Sequence, residues 1–117
     1  MRLIPLCLLA ALPLASCAVL QAQTPAPPLK VWRSLGSLQC SGGGTPVAAL
    51  REQLTAAGVV VLASACGSDG RMRAAMCGRP DGRIAVFDIA AGDAARAAAA
   101  GFQPLSALPE AVLQACP

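Results

Sequence analysis

Residues 45–65 read TPVAALREQLTAAGVVVLASA, and this stretch decides the fold class. Thr45-Pro46 predicts a helix start, with Thr as N-cap and Pro at the first helical position, where its missing N–H costs nothing. Val47, Leu50, Leu54 and Ala57 recur at helical spacing, and Gly58 ends the helix as a residue able to take positive φ. Val59 to Ala65 is then an uncharged, β-branched run of strand length, predicting a buried strand. A helix feeding a strand through one glycine is the local unit of a mixed α and β domain.

Working outward, Cys66-Gly67-Ser68-Asp69-Gly70 predicts a turn, and Arg71 to Gly78 fits either an edge strand or a helical turn. Arg79-Pro80-Asp81-Gly82 predicts a second turn, because Pro presets φ, Asp bonds back to the backbone and Gly takes positive φ. Arg83 to Ile89 alternates, with Ile84, Val86 and Asp88 on one face and Ala85, Phe87 and Ile89 on the other. This predicts a strand antiparallel to 59–65. Ala90 to Ala100 predicts an alanine-rich helix ended by Gly101, with Phe102 folding back on its last turn. Gln103 to Leu108 predicts a short edge strand, and Pro109 a final helical turn running to Cys116. On the N-terminal side, Leu29 to Cys40 predicts a short strand broken by Gly36, followed by a flexible loop at Ser41-Gly42-Gly43-Gly44.

The expected fold is therefore α+β, a small two-layer domain over residues 29–117. Its element order is either the split β-α-β-β-α-β arrangement or a plainer set of two helices and two strands. Ala56-Ala57-Gly58-Val59 and Ala99-Ala100-Gly101-Phe102 echo each other as helix exits. In element order alone the chain resembles ferredoxin-like domains and the SPOR domains of the bacterial envelope, without a SPOR sequence signature.

The 117-residue chain carries a formal charge of +3 and no histidine, and Trp32, Phe87 and Phe102 are its only aromatic residues. A core built largely from Ala, Val and Leu buries little area per residue. At about 25 cal/mol per Å² its margin over chain entropy is thin. The small charge argues against a nucleic-acid partner.

The N-terminus has the layout of an export signal: Met1-Arg2, then an uncharged apolar stretch from Leu3 to Leu14. That stretch is well short of the roughly 20 residues a membrane-spanning helix needs. Leu14-Ala15-Ser16-Cys17 closes it, and this tetrapeptide resembles the bacterial lipobox. The resemblance implies lipid attachment to the Cys17 thiol, cleavage before it and N-acylation. Residues 1–16 would then be a signal peptide, and the covalent lipid on Cys17 would be the only non-protein group. Ala18 stands where an Asp would hold such a protein at the inner membrane, so the resemblance implies the outer membrane, periplasmic face. Plain signal cleavage with release to the periplasm, and an uncleaved anchor from Leu3 to about Ala22, are the alternatives. Pro25, Pro27 and Pro28 make residues 17–28 a tether, extending at about 3.1 Å per residue where it is polyproline II. In general form the chain resembles small cysteine-containing lipoproteins of proteobacteria.

Four cysteines remain in the body: Cys40, Cys66, Cys77 and Cys116. In an oxidising compartment an even count reads as two disulfides, each stabilising by roughly 2–4 kcal/mol. Of the three pairings, Cys66–Cys77 with Cys40–Cys116 is the one expected. The spacings of 25, 10 and 38 intervening residues lack the close pairs of a zinc site and the C-x-x-C of a redox centre.

Without histidine, the usual base for a Ser or Cys nucleophile is missing, and the acids Asp69, Asp81, Asp88, Asp93 and Glu110 fall mostly in turns or caps. The expectation is a non-enzyme: an outer-membrane lipoprotein whose periplasmic domain is an interaction or structural module, bound to the membrane through its lipid. Arg71, Arg73, Arg79 and Arg83 form a candidate anion-binding cluster, since rigid guanidinium groups suit phosphate and carboxylate. That cluster, or the sheet face, supports an alternative as a binder of peptidoglycan or another anionic envelope glycan. Inhibition of a periplasmic hydrolase and contact with another envelope protein are further alternatives.

Overall fold

A computed structural model describes residues 24–117. The expected signal peptide, the lipobox-like tetrapeptide and Cys17 lie outside the described residues. Residues 24–28 are exposed and carry no regular structure before the first strand, β1 (Leu29–Ser34).

The deciding stretch folds as helix, glycine and strand. Helix α1 spans Val47–Ala56, and Leu50 and Leu54 are its buried residues. Its start is one residue later than expected: Pro46 is the N-cap and no side chain caps the helix. Thr45 instead donates its backbone N–H to Leu35 O at 2.7 Å, tying the helix entrance to the end of β1. At the exit, Gly58 has φ 81°. Its N–H bonds to Thr55 O at 3.0 Å and the Val59 N–H to Leu54 O at 3.1 Å. This pair of bonds is a Schellman motif. The second helix, α2 (Ala94–Ala99), ends identically, with Gly101 N–H on Ala98 O and Phe102 N–H on Ala97 O, both at 3.0 Å. The echoed Ala-Ala-Gly exits are thus two copies of one device. Helix α2 is shorter than expected, because Ala91–Asp93 forms a 3-10 turn ahead of it.

Strand β2 covers Val61–Ser68 and β3 covers Arg83–Ile89, and the two run antiparallel. The β2 strand starts two residues later than expected, because Val59 completes the helix exit. It also runs on through Cys66–Ser68, where a turn was expected. A short strand β4 (Gln103–Pro104) pairs with β1, and β5 (Val112–Gln114) pairs with the end of β2. The sheet is wholly antiparallel in the order β4-β1-β3-β2-β5. Its first four strands and two helices realise the split β-α-β-β-α-β arrangement, and β5 extends it by one strand. The expected edge strand 103–108 is only two residues long, because Leu105–Ala107 forms a 3-10 turn. The expected helical turn from Pro109 to Cys116 is instead β5.

The alternation of β3 divides the interior as its sequence suggested. Ala85, Phe87 and Ile89 join Val31, Leu50, Leu54, Ala97 and Phe102 beneath the helices. Phe87 and Phe102 meet edge to face with centroids 5.9 Å apart, an arrangement worth about 0.5–1.5 kcal/mol beyond the buried area. Arg33 covers this cluster, its guanidinium carbon 5.5 Å from the Phe102 centroid and its Nη1 donating to Gln53 Oε1 at 2.8 Å. On the other face Lys30 and Asp88 pair across β1 and β3 at 2.6 Å.

That second face is not left open. Residues 105–111 leave β4 at one edge and reach β5 at the other, crossing four inter-strand gaps, about 19 Å. Leu108 buries against Ile84 and Val86 on the way, with Trp32, Ala65, Leu105 and Ala111 packed around them. The C-terminal segment is a strap over the sheet, and its far end is fastened by a disulfide to β2.

Candidate functional site

Both disulfides lie at the end of the sheet away from Leu29, where β1 and β2 finish and β3 begins. Construction starts at Leu38, whose N–H and C=O exchange bonds with Gly42 at 2.9 and 2.8 Å. This tight turn holds Cys40 at φ 71°, a left-handed conformation that a side chain makes unfavourable by about 1–2 kcal/mol. Cys40 is bonded to Cys77, with the Cα atoms 5.1 Å apart.

Gln39 organises the rest. Its backbone N–H donates to Arg79 O at 2.8 Å and its C=O accepts from Gly78 N at 3.1 Å. Its side-chain Oε1 accepts from Met76 N at 2.8 Å, and Nε2 donates to Ala74 O at 3.2 Å and Pro80 O at 3.3 Å. One residue therefore supplies the partners that residues 74–80, which form neither strand nor helix, cannot find among themselves. Nothing in the sequence singles Gln39 out: a glutamine beside a cysteine has no local pattern to mark it.

The other side of the loop is set by acids. Asp69 takes two bonds from Arg73, Nη1 to Oδ1 at 2.7 Å and Nη2 to Oδ2 at 2.5 Å, and one from Arg71 N at 3.0 Å. The Arg73 guanidinium holds the Asp69 carboxyl below the usual range, and burial opposes this only in part. Asp69 in turn raises Arg73, which remains a cation at any working pH. Asp81 accepts from Ser37 Oγ at 2.8 Å and from Arg83 N at 3.0 Å, the Asx turn its place before Gly82 predicted. Asp93 does not cap its own helix. Its Oδ2 accepts from Val60 N at 2.8 Å and its Oδ1 from Arg96 Nη1 at 2.8 Å.

The expected disulfide pairing is corrected. Cys66 bonds to Cys116, with Cα atoms 4.8 Å apart, and Cys40 bonds to Cys77. The cause is β5: Cys66 stands opposite Gln114 on the β2–β5 ladder, so the strand delivers Cys116 to Cys66. Reading the C-terminus as a helical turn hid this. Gly67 permits the approach, because a Cβ there would fall 2.4 Å from Val112 O. Cys77, within the loop that Gln39 holds, is left to Cys40.

The four arginines separate. Arg73 and Arg79 line one concavity with Met72, Ala74 and Pro80, but the Arg73 charge is already met by Asp69. Arg83 lines a different hollow, beside the start of α1 and the Cys66–Cys116 bridge. Arg71, Arg79 and Arg83 are exposed and make no ion pair among the described residues. Met72, fully exposed, and Met76, half exposed, stand out from the same loop. Among the described residues no group of three or more His, Cys, Asp or Glu side chains converges as a metal site would require. The arrangement can present charge and apolar surface from a stiff frame. In comparisons with known proteins, no family model, no curated protein and no solved structure matches this chain.

Proposed function

We propose that this protein is an outer-membrane lipoprotein, anchored through lipid on Cys17, whose periplasmic domain is a non-catalytic interaction module. The reading is carried by one observation: the Cys40–Cys77 disulfide, the Gln39 bonds and the Asp69–Arg73 pair brace a loop whose residues 71–80 are all exposed. A chain with so small a core spends its covalent reinforcement on the end that buries least. Leu29, where the tether enters, is at the other end of β1, a strand of about 20 Å, which would direct the braced loop away from the membrane.

Mass spectrometry of the membrane-extracted protein tests the anchoring. The expected mature N-terminus is Cys17 carrying acyl mass, with four protons lost at Cys40, Cys66, Cys77 and Cys116. An intact leader, or a free N-terminus beyond residue 17, would reject it.

A second reading, binding of peptidoglycan or another anionic envelope glycan, is supported by the exposed guanidinium groups of Arg71 and Arg79. Since the strap covers part of the sheet face, this reading rests on the loop. Retention on purified peptidoglycan that salt reverses would support it, and no retention would remove it.

A further inference from the structure

The two disulfides stand in unlike surroundings. Cys66 is 6% exposed and lies within β2, opposite the fully buried Ala85 on β3 and Gln114 on β5. Its partner Cys116 is exposed. Cys40 and Cys77 are both exposed, and neither belongs to a strand or a helix. A disulfide opens when a thiolate bonds to one sulfur and the other sulfur leaves as a thiolate. Attack at Cys116 would expel Cys66 as a thiolate into a buried setting, which raises a thiol's pKa and makes it a poor leaving group. Attack at Cys40 or at Cys77 expels a thiolate into water. Arginine lies near both bridges, Arg83 beside Cys66–Cys116 and Arg79 two places from Cys77. Burial, not charge, is what separates them.

We propose that Cys40–Cys77 is a site of thiol–disulfide exchange, open to an external dithiol, while Cys66–Cys116 is the permanent structural bridge. One thiolate of the dithiol bonds to a sulfur of the pair, the S–S bond breaks and the other cysteine departs as a thiolate. The dithiol's second sulfur then displaces the first cysteine from the mixed disulfide. Two electrons pass to the protein, the dithiol becomes a disulfide, and its two protons end on Cys40 and Cys77. The same exchange run backwards, with an external disulfide, closes the pair. The surroundings favour that reversal. The Leu38–Gly42 bonds and those of Gln39 to Arg79, Gly78 and Met76 involve no sulfur, so they keep the two cysteines near each other after opening. The site is at the surface, since every residue from 71 to 80 is exposed. What changes is restraint: the loop loses its covalent tie, and Cys40 loses one of the contacts that hold it at φ 71°. The oxidised protein displays a stiff loop and the reduced protein a slack one on the same frame. The inference deepens the reading of that loop as an interaction surface and rests on it only for this consequence; the exchange itself requires neither a partner nor lipid on Cys17.

Differential labelling of the detergent-solubilised full chain tests it. Any free thiol is first blocked with iodoacetamide; dithiothreitol is then added, and the thiols it releases are trapped over time with N-ethylmaleimide. Peptide mass spectrometry should show Cys40 and Cys77 labelled faster than Cys66 and Cys116 by about tenfold or more. The species with one bridge open should accumulate, with its far-ultraviolet circular dichroism unchanged. Opening of Cys66–Cys116 first, or of both bridges at one rate, would overturn the proposal. Urea below the unfolding transition then separates local access from unfolding. The rate at Cys40–Cys77 should stay within about twofold of its value in buffer, while that at Cys66–Cys116 climbs with urea. An equal climb at both bridges would likewise overturn it, because the species attacked would then be the unfolded chain. Both readouts lie within residues 40–116, so their failure is distinct from an intact leader or a missing acyl group at Cys17.

Discussion

On the helix-covered face Phe87, Phe102, Leu50 and Leu54 lose all but a trace of their contact with water, whereas at the far end of the sheet every residue from Arg71 to Pro80 stays exposed. The first region takes its shape from burial. The second takes its shape from the Cys40–Cys77 bond, the five hydrogen bonds of Gln39 and the Asp69–Arg73 pair. Where the chain stays exposed the hydrophobic effect has little to act on, and directional and covalent contacts take over. The difference predicts which changes unfold the molecule and which only slacken one end.

The largest effect is expected in the buried region. Phe87 is fully buried and meets Phe102 edge to face. Phe87→Ala removes its transfer energy and leaves a cavity, at a cost of about 3–5 kcal/mol. In a domain of this size that is a large share of total stability, and urea denaturation should show the midpoint falling steeply. A loss below about 1 kcal/mol would mean that the two faces share the load, contrary to the contrast drawn here.

The two disulfides sharpen the comparison. Their sequence separations are 37 and 50 residues, so loop entropy alone assigns them nearly equal contributions, about 4 kcal/mol at most and 2–4 in practice. Their local effects should differ. With Cys66→Ser and Cys116→Ser together, the strap loses its far fastening, and amide exchange should rise at Leu108 and through β5. With Cys40→Ser and Cys77→Ser together, exchange should rise at Met76, Gly78 and Arg79 while the amides of β3 stay protected. Equal exchange across the molecule in both variants would show the far end to be one cooperative unit with the core.

How much of this was readable beforehand follows the same divide. The helix exits at Gly58 and Gly101, the two faces of β3 and the α+β order were legible because each is written in a few neighbouring residues: a glycine after alanines, or an apolar residue at every second place. The C-terminus was misread because Pro109 carries a helix-start signal, while Val112–Gln114 is too short to show a period. It becomes a strand only by lying against β2, and tertiary context of this kind overrides local preference. The wrong disulfide pairing followed from that one error. At the candidate site the arginines could be counted, but not which of them Asp69 neutralises. A pair at positions i and i+4 is expected on a helix, and here it closes an irregular loop. Gln39 gave no sign at all, since its importance lies in partners 35 to 41 residues away.

The smallest effect is expected at the ion pair, and its sign can be worked out. Asp69 has a carboxyl held below its ordinary value of 3.8, first by the hydrogen bond from Arg73. The ionised form is therefore favoured in the folded chain, and the pair contributes fully at pH values above the unfolded carboxylate range, about 4. As pH falls through the lowered folded value, protonation removes the contribution. Arg73 does not titrate in this range, so the dependence belongs to the carboxylate. Part of the guanidinium faces water, and salt screens what remains. Asp69→Asn should therefore flatten the fall in stability below pH 4, with little change near pH 7 beyond the loss of the pair itself. The flattening should be clearer in exchange at Arg71 and Arg73 than in the global midpoint. If the variant and the parent lost stability in parallel on acidification, the braced end would not be held by this carboxylate, and the Gln39 bonds and the Cys40–Cys77 clasp would have to account for its shape alone.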